Sequence, residues 1–156
     1  MSTLYEVKIK IEPEQQEQII AQLDLRPYKK YSDTDFFLRA GDLKEKLKVF
    51  NGKSKHYQVE YDGQVFVLTG RELSDQEANQ MLSSGVAKVI KRHKEVFKWS
   101  DQNIEVAFDR LDDVSDLFIE VYDRQRDRVV AAKEELAKLG YTYFIAETYA
   151  ELYSPK

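Results

Sequence analysis

Short segments of this chain place charged residues on every second position and fill the places between them with apolar ones. Glu6, Lys8 and Lys10 interleave with Tyr5, Val7, Ile9 and Ile11, and Lys44, Lys46 and Lys48 recur at the same spacing. Gln58 shares a phase with Glu60, Arg92 with Lys94, and Glu105 with Asp109. Because side chains in a strand alternate between faces, each segment carries one apolar and one charged face. Either the charged faces look out to water, as on an open sheet, or they look inward, into the lumen of a barrel. That choice decides most of the function.

The elements follow from the same pattern and its breaks. Residues 5–11 predict a strand, and Pro13 opens a helix through Ile19, Ile20 and Leu23, since proline's missing N–H is unused in a first turn. The run 33–39 and the alternating segment 44–50, separated by Gly41-Asp42, read as antiparallel neighbours. Segments 56–61 and 64–69 flank Asp62-Gly63, a dipeptide suited to the type I′ turn of a hairpin. Ser74 and Glu77 fit a capping box for a helix over 75–84 that Gly85 stops. Strands return at 87–96, 104–109 and 117–122. An amphipathic helix then spans 125–139, with Val129, Val130, Leu136 and Leu139 inward and Gly140 at its end. A short strand at 143–145 and a helical turn at 149–152 come last. Seven or eight strands, joined mostly by hairpins and short helices, predict an α+β fold: an antiparallel barrel with peripheral helices.

At 156 residues the chain is expected to form one domain, 1–156. The absence of cysteine excludes disulfides and thiolate metal sites. No N-terminal apolar stretch resembles a signal peptide or a membrane span, so a soluble cytoplasmic protein is expected, without membrane association. With 24 Lys and Arg against 28 Asp and Glu the formal charge is −4, which argues against broad binding to nucleic acid, where excess positive charge supplies most of the affinity. Any anion-binding surface must be local.

Five stretches carry a resemblance. Glu6-Val7-Lys8-Ile9-Lys10 resembles the E-x-E-x-K signature of the CYTH superfamily, the triphosphate tunnel fold of class IV adenylate cyclases, thiamine triphosphatases and inorganic triphosphatases. Gly41-Asp42-Leu43-Lys44-Glu45-Lys46 looks like the G-x-L-K-x-R of the class IV cyclase branch, and residues 89–97 are similar to its V-x-K-K-R-R-x-x-Y strand. Asp109 with Phe118-Ile119-Glu120 resembles the branch's D-E-V…F-x-E-x-E close, and Thr148-Tyr149-Ala150-Glu151-Leu152 its S-Y-x-D-L.

The resemblance implies a closed eight-stranded antiparallel tunnel in which basic side chains hold a triphosphate and carboxylates hold Mg or Mn. Lys10, Lys44, Lys46, Arg92 and Lys94 are the expected phosphate ligands, Glu6, Asp109 and Glu120 the expected metal ligands, and Glu6 and Lys94 the expected catalytic residues. Lys48 shares their phase with weaker motif support. The implied activity acts on a nucleoside triphosphate or another triphosphate. It would convert ATP to cyclic AMP and pyrophosphate, or hydrolyse the terminal phosphate; a homodimer is implied by likeness only. Tyr149 would steady the C-terminal segment or touch the ligand, and His56 and His93 receive no role.

The chain also departs from the pattern. Lys8 stands where the signature has its second glutamate, Tyr122 where the closing motif has its second, and Glu105 and Glu60 lie near expected basic positions. Lys8 is expected to pair with Glu60 or Glu105 across the lumen. These departures keep open a tunnel that binds a nucleotide or polyphosphate without turning it over, and a purely structural charged sheet.

Overall fold

The structure, a computed structural model, describes residues 1–154; the last two residues of the expected 1–156 domain lie outside the described part. Nine strands and four helices are present among these residues: β1 (Ser2–Ile11), α1 (Gln15–Gln22), β2 (Arg26–Leu38), β3 (Glu45–Phe50), β4 (Lys53–Tyr61), β5 (Phe66–Leu73), α2 (Asp75–Ser83), β6 (Val86–Trp99), β7 (Ile104–Leu111), β8 (Leu117–Asp123), α3 (Arg126–Lys138), β9 (Phe144–Ile145) and α4 (Tyr149–Leu152). The sheet order is β5-β4-β3-β2-β6-β7-β8-β1-β9, and β1 also pairs with β5. All pairings are antiparallel, so the first eight strands close into a barrel and β9 adds to the far half of β1. Closure leaves no long unpaired edge. This is the barrel that the sequence resemblance implies.

Closure also settles which way the alternating faces look. Val7, Ile9, Val106, Phe108, Ile119 and Val121 pack outward against α1 and α3, where Ile19, Val129, Ala132 and Leu136 complete the larger apolar core. The charged phase therefore turns inward. Leu139, expected inward, is 40% exposed, and Ala132 takes the inner position on α3.

Other details differ from expectation for local reasons. The hairpin between β4 and β5 closes at Tyr61 opposite Phe66, so its loop holds four residues and not two. The Asp62 carboxylate accepts the N–H groups of both Gln64 and Val65, at 3.0 Å each, which stabilises the longer loop, and Gly63 supplies a φ of 97°. Strand β2 starts at Arg26, well before the expected 33–39, and β6 runs on to Trp99, past the expected 87–96, because the two pair with each other along most of their length. The expected capping box at Ser74/Glu77 is formed, and a second, which the sequence reading did not identify, opens α4 at Thr148/Glu151.

One end of the barrel is sealed. Phe37, Ile90, Leu111 and Phe118 converge there with Tyr149 and Ala150 of α4 and Ile145 of β9. The opposite wall of the interior is apolar as well, with Tyr57, Val59, Phe66 and Leu68 in contact. Tyr57 lies directly across from Gly70, and a Cβ at Gly70 would stand 2.5 Å from the Tyr57 ring, so the absence of a side chain makes room for that ring.

Candidate functional site

Alternation along six strands builds the charged interior. On β1, Glu6 and Lys8 point in; β2 contributes Asp33 and Asp35, β3 Lys46 and Lys48, β6 Arg92 and Lys94, and β7 and β8 add Asp109 and Glu120. All but Lys48 are buried. Register puts opposite charges directly across from one another: Lys8 from Glu120, Asp33 from Arg92, Asp35 from Lys48 and Lys94 from Asp109. Five basic groups (Lys8, Lys46, Lys48, Arg92, Lys94) face five acidic ones (Glu6, Asp33, Asp35, Asp109, Glu120).

Distances show how closely they compensate. Arg92 Nε and Nη2 donate to the two oxygens of Asp33 at 2.9 Å, and Arg92 also lies 3.4 Å from Asp35 and 3.7 Å from Glu120. Lys46 Nζ donates to Asp35 Oδ2 at 2.8 Å. Lys94 Nζ sits 2.9 Å from Asp109 Oδ1 and donates to Glu120 Oε1 at 3.0 Å. Tyr149 reaches in from α4 and its hydroxyl donates to Asp109 Oδ2 at 2.9 Å.

These contacts separate the titrations. Burial raises Asp109, and the nearby Glu120 charge adds to it, so its carboxyl rises to about 6 in spite of Lys94. Burial acts the same way on Glu120 and Asp35, but there the cations win. Lys94 and Arg92 hold Glu120 well below the usual carboxylate range, and Arg92 and Lys46 do so for Asp35. Burial also lowers Lys48, with Arg92 and Lys46 repelling its proton, to about 8.

The expected phosphate ligands divide. Lys46, Arg92 and Lys94 meet inside. Lys10 does not join them: it lies at the rim, half-buried, 3.3 Å from Asp116. Lys44 is exposed outside the interior, because Asp42 and Leu43 adopt left-handed φ values of 52° and 61° and the strand alternation starts only at Glu45. Glu60 is exposed on the outer face, so Lys8 pairs with neither Glu60 nor Glu105 but lies beside Glu6 and opposite Glu120. His93 points outward to Ser32 and Asp112, and His56 lies 3.1 Å from Glu45. Sequence reasoning missed Asp33 and Asp35. Their i, i+2 spacing on a strand whose partners carry Lys46, Lys48 and Arg92 was the available signal.

The three expected metal ligands do not fit a divalent ion as they stand. Glu6 Oε2, Asp109 Oδ1 and Glu120 Oε2 are buried without a hydrogen-bond partner, which hard oxygen donors to a cation would be. Yet cations already stand beside them: Lys94 bridges Asp109 and Glu120, and Lys8 lies beside Glu6 and across from Glu120. Among the described residues no three acidic or histidine side chains converge closely enough to hold a metal ion.

Beyond Lys48 the interior opens. A cavity of about 360 Å³ is walled by Lys29, Lys48, Lys53 and Lys55, with Tyr31 and Phe50, whose ring centroids lie 4.8 Å apart. Its volume lies in the usual range for small-molecule sites, about 300–1,000 Å³. A larger hollow of 490 Å³ on the outer wall carries mixed charge from Lys88, Lys91, Asp112 and Asp113 and does not connect these groups.

No family model and no curated protein matches the chain. Solved structures do. A candidate adenylate cyclase of Bacillus halodurans superposes with a TM-score of 0.69 at 13% identity, over 99% of this chain and 100% of its own. The PH1012 protein of Pyrococcus horikoshii gives 0.69 at 22% identity, over 97% and 99%. A candidate adenylyl cyclase from Hippeastrum, described as having a dominant triphosphatase activity, gives 0.59 at 14% identity, over 97% and 93%. At these identities the likeness is one of fold.

Proposed function

We propose that the barrel binds a compact phosphate-rich anion, a nucleoside triphosphate or an inorganic polyphosphate, at its lysine-walled mouth, and holds it without turnover. One observation carries this reading. Lys48 and Lys55 stand directly opposite each other on β3 and β4, with Lys29 and Lys53 lining the same cavity. Like charges across a strand pair repel, and an anion between them removes that repulsion while gaining charge-assisted hydrogen bonds. Asp33 lies 3.8 Å from Lys48, but its two oxygens already accept from Arg92, and Glu72 stands across from Lys55 on β5; four lysines against these two carboxylates leave the mouth a positive excess. The inner network, in which Lys46, Arg92 and Lys94 are bonded to carboxylates, then acts as a rigid floor beneath the ligand.

Turnover of a triphosphate to cyclic AMP and pyrophosphate, or by hydrolysis, with Mg or Mn, is the second reading. The unpartnered oxygens of Glu6, Asp109 and Glu120 favour it, as does the fold shared with the Bacillus and Hippeastrum proteins. It requires Lys8 and Lys94 to leave those carboxylates.

Calorimetric titration with tripolyphosphate and with ATP, in chelator, tests the first reading. Saturable binding that Lys48→Ala and Lys55→Ala weaken supports it, and the absence of heat for both ligands overturns it. Incubation with ATP, thiamine triphosphate or tripolyphosphate under Mg or Mn, followed by product separation, distinguishes the second; release of cyclic AMP, ADP or phosphate would establish turnover.

A further inference from the structure

The Lys8 side chain is only 3% exposed and does not line the mouth at which the binding reading above places its ligand. Its ammonium lies 4.4 Å from the centre of the Phe66 ring, on β5, and 4.6 Å from that of Tyr149, on α4. Glu6 Oε2 is 4.0 Å away, and Glu120 faces it across the β1–β8 ladder. The Tyr149 ring is fixed in turn by the hydroxyl's bond to Asp109. Two ring faces and two carboxylates thus surround one organic cation.

We propose that the Lys8 ammonium is a built-in cation that stands in place of a divalent metal between Glu6 and Glu120, so that the barrel interior is metal-independent. The chemistry of the surround selects this cation. A hard divalent ion requires about six oxygen ligands and gives up its waters reluctantly. Ring faces offer no lone pairs to such an ion, but their negative π-faces attract an ammonium once water is removed. Two Lys8 neighbours are rings, and the remaining carboxylate gap, between Asp109 and Glu120, is bridged by Lys94. The unpartnered oxygens fit the same picture. Glu6 Oε2 and Glu120 Oε2 lack hydrogen bonds, yet each faces a nearby cation, Lys8 at 4.0 Å and Arg92 at 3.7 Å, that neutralises it through space.

The test uses the full chain without any phosphate ligand, which separates it from the anion-binding reading. Mn2+ is titrated into wild type, Lys8→Glu and Lys8→Met, followed by calorimetry, by the electron paramagnetic resonance of free Mn2+, and by the thermal midpoint. Wild type is expected to show no saturable Mn2+ site and no shift in midpoint. Lys8→Glu adds a third carboxylate beside Glu6 and Glu120 and is expected to gain one saturable Mn2+ site, with a midpoint that rises on Mn2+ addition. Should Lys8→Glu fail to fold without metal, its recovery of structure on Mn2+ addition reports the same gain. Lys8→Met, which keeps the length and loses the charge, is expected to have a lower midpoint than wild type. A saturable Mn2+ site in wild type overturns the proposal, as does a Lys8→Glu protein, folded or not, that is indifferent to Mn2+, or a Lys8→Met protein as stable as wild type.

Discussion

Arg92 holds Asp33 through two parallel hydrogen bonds, both 2.9 Å long, across the β2–β6 ladder, and neither side chain is more than 1% exposed. The pair is the centre of the interior network, because the same guanidinium also faces Asp35 and Glu120. Removing one partner of such a pair leaves an uncompensated buried charge, at about 3–5 kcal/mol. Asp33→Ala is therefore expected to lose stability on that scale in urea unfolding. The double variant Asp33→Ala/Arg92→Met is expected to lose less than the sum of its single changes, which a double-mutant cycle measures. Additive losses would mean that the two groups do not act as a pair.

The hydroxyl of Tyr149 is the donor that α4 sends into the interior. Tyr149→Phe keeps the ring and removes only the bond to Asp109, at about 1–3 kcal/mol for a buried acceptor left without it. The loss depends on pH with a definite sign. Asp109 has its carboxyl raised to about 6, so above that value it is charged and needs the donor, whereas below it the proton is on the carboxyl. The stability difference between wild type and Tyr149→Phe is expected to be larger above pH 6 than below it, as measured by urea unfolding on both sides.

Lys48 sets the pH range over which the mouth holds an anion. Its ammonium is lowered to about 8 by burial and by the neighbouring Arg92 and Lys46 charges. Below that value the group is charged and attracts phosphate; as pH rises through it the charge is lost. Tripolyphosphate affinity is expected to fall across that interval in wild type, with the inflection at Lys48 absent from Lys48→Ala. Each charge-assisted bond contributes about 1.5–3 kcal/mol, so Lys48→Ala is expected to weaken binding by roughly one to two orders of magnitude below the inflection. Lys10→Ala and Lys44→Ala, which lie away from the mouth, are expected to leave affinity nearly unchanged.

Gly70 is a packing requirement of the interior. A methyl group there meets the Tyr57 ring at 2.5 Å and the His56 carbonyl at 2.6 Å, and overpacking of this kind has a penalty of about 1–3 kcal/mol. Gly70→Ala is expected to lower the thermal midpoint. Combining it with Tyr57→Ala relieves the ring clash but not the backbone one, so recovery is expected to be partial.

The alternation of charge along β1, β3 and β6 was legible in the sequence, as was the capping box at Ser74, and these local features fix strand phase and a helix start whatever surrounds them. Phase alone is silent on direction. Glu6 and Lys8 turn inward only because β1 pairs with both β5 and β8 and closes the sheet, while Val7 and Ile9 find α1 and α3 outside. Likewise, nothing local shows that Lys46, Arg92 and Lys94 meet Asp35, Asp33 and Asp109, since each partner lies on another strand. Charge matching across a lumen depends on register between segments far apart in the chain, and that register is set by tertiary closure; the sequence by itself determined which residues share a face, and the closed barrel decided which faces meet.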